Sequence, residues 1–218
     1  MNKRNQINYT ITATLFIAFI TLTFMIKNID IKPIGPEGTS IGLSSINHFV
    51  FNYLGVTLLW YYLTDWLGLV SIMFACAFGV LGLAQLIKRK SLKNVDADIL
   101  LLGLFYLAII GCYIMFEKII INYRPILMDG ELEASYPSSH TMIVVSIMTM
   151  SMIQFHHRIK RKKFIRLIDI FSILIIVVTI IGRLLSGVHW LTDIIGGVLL
   201  SATLNMLYYS IIYTCNQV

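Results

Sequence analysis

The chain has 218 residues, 57% of them hydrophobic and only 13% charged, and its mean hydropathy is +0.80. A soluble domain carries about 25% charged residues, so this composition excludes a soluble enzyme and points to a single membrane-embedded domain over residues 1–218. The net charge of +6 comes from basic loops beside apolar runs, which makes it a topology signal and argues against nucleic-acid binding.

The first apolar run, 9–26, lies between Lys3–Arg4 and Lys27, Asn28 and Asp30. It is long and has no small-residue cleavage site behind it, so it reads as a retained span. Residues 28–40 carry Pro33, Gly35, Pro36 and Gly38 and read as a loop. The uncharged run 41–64 holds Ser44, Ser45, Asn47, His48 and Asn52, then the aromatic cluster Trp60, Tyr61, Tyr62 and Trp66. That mixture predicts an interfacial or partly re-entrant helix at headgroup level. Further apolar runs follow at 66–87, 99–116, 141–155, 170–182 and 194–213. A span needs about 17–25 residues; the shorter runs, 141–155 and 170–182, gain length from polar motifs at one end and snorkelling basic residues at the other. The runs are too continuous for barrel strands, which alternate. The expected fold is an all-α polytopic bundle of six transmembrane helices plus one interfacial helix.

The basic residues orient this bundle. With six spans, Lys3, Arg4, Lys88, Arg89, Lys90, Lys93, Arg158, Lys160, Arg161, Lys162, Lys163 and Arg166 all fall on one side. The positive-inside rule then places both termini in the cytoplasm. A further span at 41–64 would strand Lys3 and Arg4 outside. Cys76, Cys112 and Cys215 suggest neither a disulfide framework nor metal-ligand spacing.

Three polar islands interrupt the apolar sequence: KIIINYRP (118–125), YPSSH (136–140) and RLLSGVHWLTD (183–193). The topology puts all three at the outer membrane edge, where ionisable residues are costly unless they serve a site. His189 and Asp193 are four residues apart, so one helical face would bring a carboxylate to one imidazole nitrogen and leave the other free as nucleophile or base. Arg124 and Arg183 offer planar donor forks suited to phosphate oxygens, with no acidic partner inside the islands. Pro137, Ser138, Ser139 and His140 stand where a loop enters a helix, so backbone N–H groups and hydroxyls there suit an anion, and His140 is placed to protonate a leaving oxygen. The inventory reads as phosphate binding and transfer.

Taken together, the islands resemble the type-2 phosphatidic acid phosphatase superfamily, the membrane lipid phosphatases related to vanadium haloperoxidases. That family's pattern is a lysine before Arg-Pro, then PSGH, then SRxxxxxHxxxD. Here Arg124-Pro125, Pro137-Ser138-Ser139-His140 and Arg183…His189…Asp193 match in order and spacing. The lysine is one position late, at Lys118 with Glu117 before it; Ser139 replaces the glycine, and Gly182 replaces the serine before the arginine. The resemblance implies a metal- and cofactor-independent lipid phosphatase in the cell membrane. Its motif-bearing core is 118–193, and its substrate is a lipid phosphate or pyrophosphate: undecaprenyl pyrophosphate, phosphatidate or phosphatidylglycerol phosphate. His189 would form a phosphohistidine, Asp193 orient it and His140 act as acid, with Lys118, Arg124, Ser138, Ser139 and Arg183 holding the phosphate. The alternatives are a lipid phosphotransferase and a non-catalytic lipid-phosphate binding or transport protein on the same fold.

Overall fold

The computed structural model describes residues 3–215, with side chains to residue 214. In chain order the helices are α1 (Lys3–Asn28), α2 (Ser44–Leu54), α3 (Leu58–Arg89), α4 (Ala97–Lys118), α5 (Ser139–Arg158), α6 (Lys162–Leu185) and α7 (Leu191–Cys215). No strand forms among the described residues; the loops contribute only isolated bridges. Among the described residues five helices, α1, α3, α4, α6 and α7, are long and apolar enough to cross a membrane. Their outward faces are apolar, as lipid requires: Trp66, Met73, Val80 and Ile87 recur at seven-residue intervals along α3 and are all exposed.

The remaining long helix, α5, is the centre of the bundle. It packs against α3, α4, α6 and α7, and ten of its twenty residues are buried. Lipid does not face most of this helix, so it tolerates Ser146, Ser151 and Gln154 inside the protein. Its lower hydropathy follows from that position. The sequence runs 141–155 and 170–182 do lengthen at both ends, into α5 and α6.

The run 41–64 divides differently from the sequence reading. It gives the short helix α2, a break at residues 55–57 with Gly55 at φ 68°, and then the first two turns of α3. Trp60, Tyr61 and Tyr62 therefore belong to α3. At about 1.5 Å per residue its 32 residues extend about 48 Å, well beyond about 30 Å of hydrocarbon. The aromatic turns thus reach headgroup level as part of a long helix, and Asp65, which separates the apolar runs 41–64 and 66–87, lies inside it.

Polar networks fasten both ends of the bundle. At one end Asp96 accepts from Arg89 Nη1 at 2.7 Å and from Arg158 Nη1 at 3.1 Å, while Arg158 Nη2 reaches Asp98 at 2.7 Å. The Arg89 and Gln85 hydrogen bonds pull the Asp96 carboxyl down to about 2. These bonds gather α3, α4 and α5 and bring two of the basic segments to the same end, as the charge pattern required. At the other end α2 clamps the start of α7. The buried Asn47 donates to Thr192 Oγ1 at 3.0 Å and accepts from Thr192 N at 3.2 Å. Among the cysteines, Cys76 and Cys112 are free, and the side chain of Cys215 lies outside the described residues.

Candidate active site

The ends of four helices meet on the α2 side of the bundle: the C-termini of α4 and α6 and the N-termini of α5 and α7. The loop from α4 to α5 is a narrow hairpin. Its two limbs pair through Arg124 N to Glu133 O at 3.0 Å and Ser135 N to Asn122 O at 2.9 Å. Trp190 Nε1 donates to Tyr123 O at 2.8 Å, tying the hairpin to the turn before α7. The N-terminus of α5 is docked on α7 by Ser138 N, which donates to the Asp193 carbonyl at 3.0 Å. Gly197 permits that approach, because a Cβ there would meet Ser138 O at 2.9 Å.

His189 and Asp193 are brought together, but through a third residue. Asp193 Oδ2 lies 3.7 Å from His189 Nδ1, too far for a direct hydrogen bond. The hydroxyl of Ser135 fills the gap. It accepts from His189 Nδ1 at 3.2 Å and donates to Asp193 Oδ2. The same carboxylate oxygen accepts from Trp190 N at 2.8 Å, so Asp193 also caps α7. This chain of bonds keeps a proton on His189 Nδ1 and the lone pair on Nε2, which is buried without a protein partner. Burial, with Arg124, Arg183 and His140 adding like charge, pushes the His189 imidazole well below its ordinary pKa, so the ring is neutral at physiological pH. Ser135 carries no motif signature in the sequence.

The two arginines add something the islands do not contain. Each has an acidic partner, contributed from outside the islands. Arg124 Nε pairs with Glu133 at 3.0 Å, and Arg183 Nη2 binds Asp65 of α3. A fully buried guanidinium such as Arg183 requires such a counter-charge. Its plane also lies over the Tyr61 ring at 4.9 Å. Both arginines keep spare donors: Nη1 of Arg124, and Nε and Nη1 of Arg183, are buried without protein partners. His140 sits beside them, with Nε2 at 3.0 Å from Asp65 and Nδ1 buried and unpartnered.

The serines divide. Ser138 occupies the N-cap position of α5 but makes no side-chain cap, and its buried hydroxyl has no partner. Its N–H is used by Asp193, which removes Ser138 N from the backbone cradle expected from the sequence. Ser139 lines a small cavity with Ser135, His189 and Glu117. Lys118 is the one predicted residue the structure does not bring in. It is exposed at the end of α4, and Glu117, turned by about 100° on the helix, faces the cavity instead. The missing serine before Arg183 has a packing explanation: a Cβ on Gly182 would come within 2.6 Å of Thr64 Cγ2 and 3.0 Å of the Trp60 ring. That glycine lets α3 approach α6 closely enough for Asp65 to meet Arg183.

The arrangement therefore pairs a neutral, oriented imidazole with a second imidazole and a set of buried donors that lack partners. It suits an anion of tetrahedral shape. The family model for the PAP2 superfamily matches residues 99–217, a stretch that contains all three islands. The crystal structure of a transmembrane PAP2-type phosphatidylglycerolphosphate phosphatase from Bacillus subtilis shares the fold. It has a TM-score of 0.62 and 18% sequence identity over 94% of this chain and 96% of that one. No curated protein matches the sequence. With a family match over more than half of its length and a helical membrane fold to go with it, the chain belongs to the PAP2 superfamily.

Proposed function

We propose that the protein is an integral membrane lipid phosphatase that works through a phosphohistidine on His189. One observation carries this reading: His189 Nε2, Ser138 Oγ and the spare nitrogens of Arg124 and Arg183 are all buried without protein partners. Buried polar groups left unpaired cost stability; a bound phosphate would satisfy the arginine and serine donors together and present its phosphorus to the lone pair of His189 Nε2.

The chemistry follows from these roles. His189 Nε2 attacks phosphorus in line with the leaving oxygen. The Nδ1 proton stays in place, and Asp193 balances the new imidazolium charge through Ser135. His140 gives its proton to the leaving oxygen as the phosphorus–oxygen bond breaks. Water then attacks the phosphohistidine, His140 takes the water's proton, and phosphate leaves with His189 neutral again. Arg124, Arg183, Ser138 and the first-turn amides of α5, at Ser139 and His140, stabilise the equatorial oxygens. Cationic groups surround the phosphate position, so the reaction needs no metal ion.

The substrate is a lipid phosphate or pyrophosphate, because the site lies at the end of a bundle whose flanks are apolar. The candidates are phosphatidate, undecaprenyl pyrophosphate and phosphatidylglycerol phosphate, the last being the substrate class in the neighbour's name. An outward-facing site favours the recycling of a carrier lipid. The test is phosphate release by purified protein from a panel of these three lipids, with and without EDTA. Release that persists in EDTA and is blocked by vanadate supports the reading. Release that EDTA abolishes and magnesium restores overturns metal independence. Transfer of the phosphoryl group to an added alcohol in preference to water would identify a phosphotransferase.

A further inference from the structure

Asp65 is the only acidic residue in the 32 residues of α3, and a carboxylate within a membrane helix is costly unless it is paired and useful. It meets two residues of the site with one oxygen. Oδ1 lies 3.0 Å from His140 Nε2 and also binds Arg183 Nη2. Three residues along the same helix, Gly68 leaves room for the imidazole: a Cβ there would meet His140 Cδ2 at 3.3 Å. The ring therefore rests on the α3 surface that carries Asp65. His140 Nδ1 remains buried without a partner.

This geometry repeats the logic of His189 with the nitrogens exchanged. His189 is held at Nδ1, by Ser135 and Asp193, and presents Nε2. His140 turns Nε2 to Asp65, 3.0 Å from Oδ1, and presents Nδ1. The charged or titratable groups acting on His140 are Asp65 from α3, Arg183 from α6, Arg124 from the α4–α5 hairpin and His189 from the turn before α7. Of these Asp65 is the one carboxylate, set against two guanidinium groups.

We infer that Asp65 is a positioning residue for His140: it fixes the neutral ring with its proton on Nε2 and counters the charge of the protonated ring. Nδ1 is then the atom that gives a proton to the leaving oxygen and later takes one from water. This assignment rests on the phosphatase reading for its consequence in catalysis, but the tautomer it requires does not. The same carboxylate oxygen orients Arg183, so α3 sets both the acid and a phosphate ligand.

The test uses the full-length protein in detergent, with two variants. Asp65→Asn keeps the shape and removes the charge, whereas Asp65→Ala removes the acceptor. In the first turnover of an alkyl lipid phosphate, Asp65→Asn should be slower by about 10²-fold, the scale of a lost general acid. Its alkaline limb should move to lower pH. Nitrophenyl phosphate, whose leaving group needs little proton assistance, should lose far less. Nitrogen-15 NMR of labelled histidine should show the neutral His140 of the wild type protonated on Nε2. Asp65→Ala should lose that preference while His189 keeps its proton on Nδ1. Equal losses on both substrates with unmoved pH limbs, or a wild-type His140 protonated on Nδ1, would overturn the assignment. A wild-type protein that releases no phosphate from any substrate would sink the phosphatase reading alone, because the tautomer measurement still decides the role of Asp65.

Discussion

Ser135 shows how much a single hydroxyl carries in this site. With His189 and Asp193 at 3.7 Å, the carboxylate acts on the imidazole only through the serine. A hydrogen bond to a charged group is worth about 1.5–3 kcal/mol, which corresponds to a factor of about 10–160 in rate. Ser135→Ala should therefore lower kcat by that factor and leave KM nearly unchanged, as measured by phosphate release; a wild-type kcat would mean that His189 and Asp193 couple without it. Lys118 and Arg183 make the opposite comparison. Lys118→Ala should leave turnover near the wild-type value, because the side chain is exposed and stands outside the cavity. Arg183→Lys keeps the charge but loses the guanidinium fork, and should lower turnover by about 10²-fold. A strong Lys118→Ala defect would place the lysine on the phosphate after all.

The legibility of this site in the sequence divides by distance along the chain. His189 and Asp193 are readable as a pair because they lie close in sequence, although His189 stands in the turn before α7 and not on the helical face the offset predicts. Arg124, Ser138, His140 and Arg183 are readable because they stand beside the spans in recognisable company. Asp65 is not, since its partner Arg183 lies 118 residues away and a lone carboxylate in an apolar run reads first as a boundary. Ser135 is unreadable for a different reason: nothing distinguishes a bridging serine from a solvated one until the hairpin has folded.

At the scale of elements, the site depends on how closely helices approach. The α3–α6 contact is set by Gly182 against Thr64 and Trp60. Gly182→Ser should force these helices apart, with an overpacking cost of about 1–3 kcal/mol. It should also weaken the hold of Asp65 on Arg183. A thermal unfolding scan in detergent should show a lower Tm together with reduced turnover; a variant as stable and active as the wild type would remove the packing explanation for this glycine. The helix count was legible because long apolar runs leave few alternatives. The start of α3 was not, because headgroup-level aromatics fit an interfacial helix and the first turns of a long span equally well. The burial of α5 was hidden too, as its Gln154 finds its partners, the Asp98 carbonyl and the Tyr208 hydroxyl, 56 and 54 residues away in the chain.

At the scale of the whole molecule, charge at one end and chemistry at the other give the bundle a direction. Arg89 and Arg158 meet on Asp96 at the end remote from His189. By the positive-inside rule we propose that the site faces outward. In a background with Cys76, Cys112 and Cys215 replaced by serine, an impermeant thiol reagent added to intact cells should label Glu131→Cys and spare Arg161→Cys. The reverse pattern would place the site on the cytoplasmic face.

All of these proposed roles converge on the proposed covalent intermediate, which is the most direct point of attack. Protein incubated with a phosphate-labelled lipid substrate and quenched rapidly should carry label that is acid-labile and base-stable, as a phosphohistidine is. His189→Ala should carry none, while Asp193→Asn, with its geometry kept and its charge lost, should accumulate label slowly. Label that persists in His189→Ala would contradict the account, because the nucleophile would then be another residue and the roles of His140, Asp193 and Ser135 would fall with it.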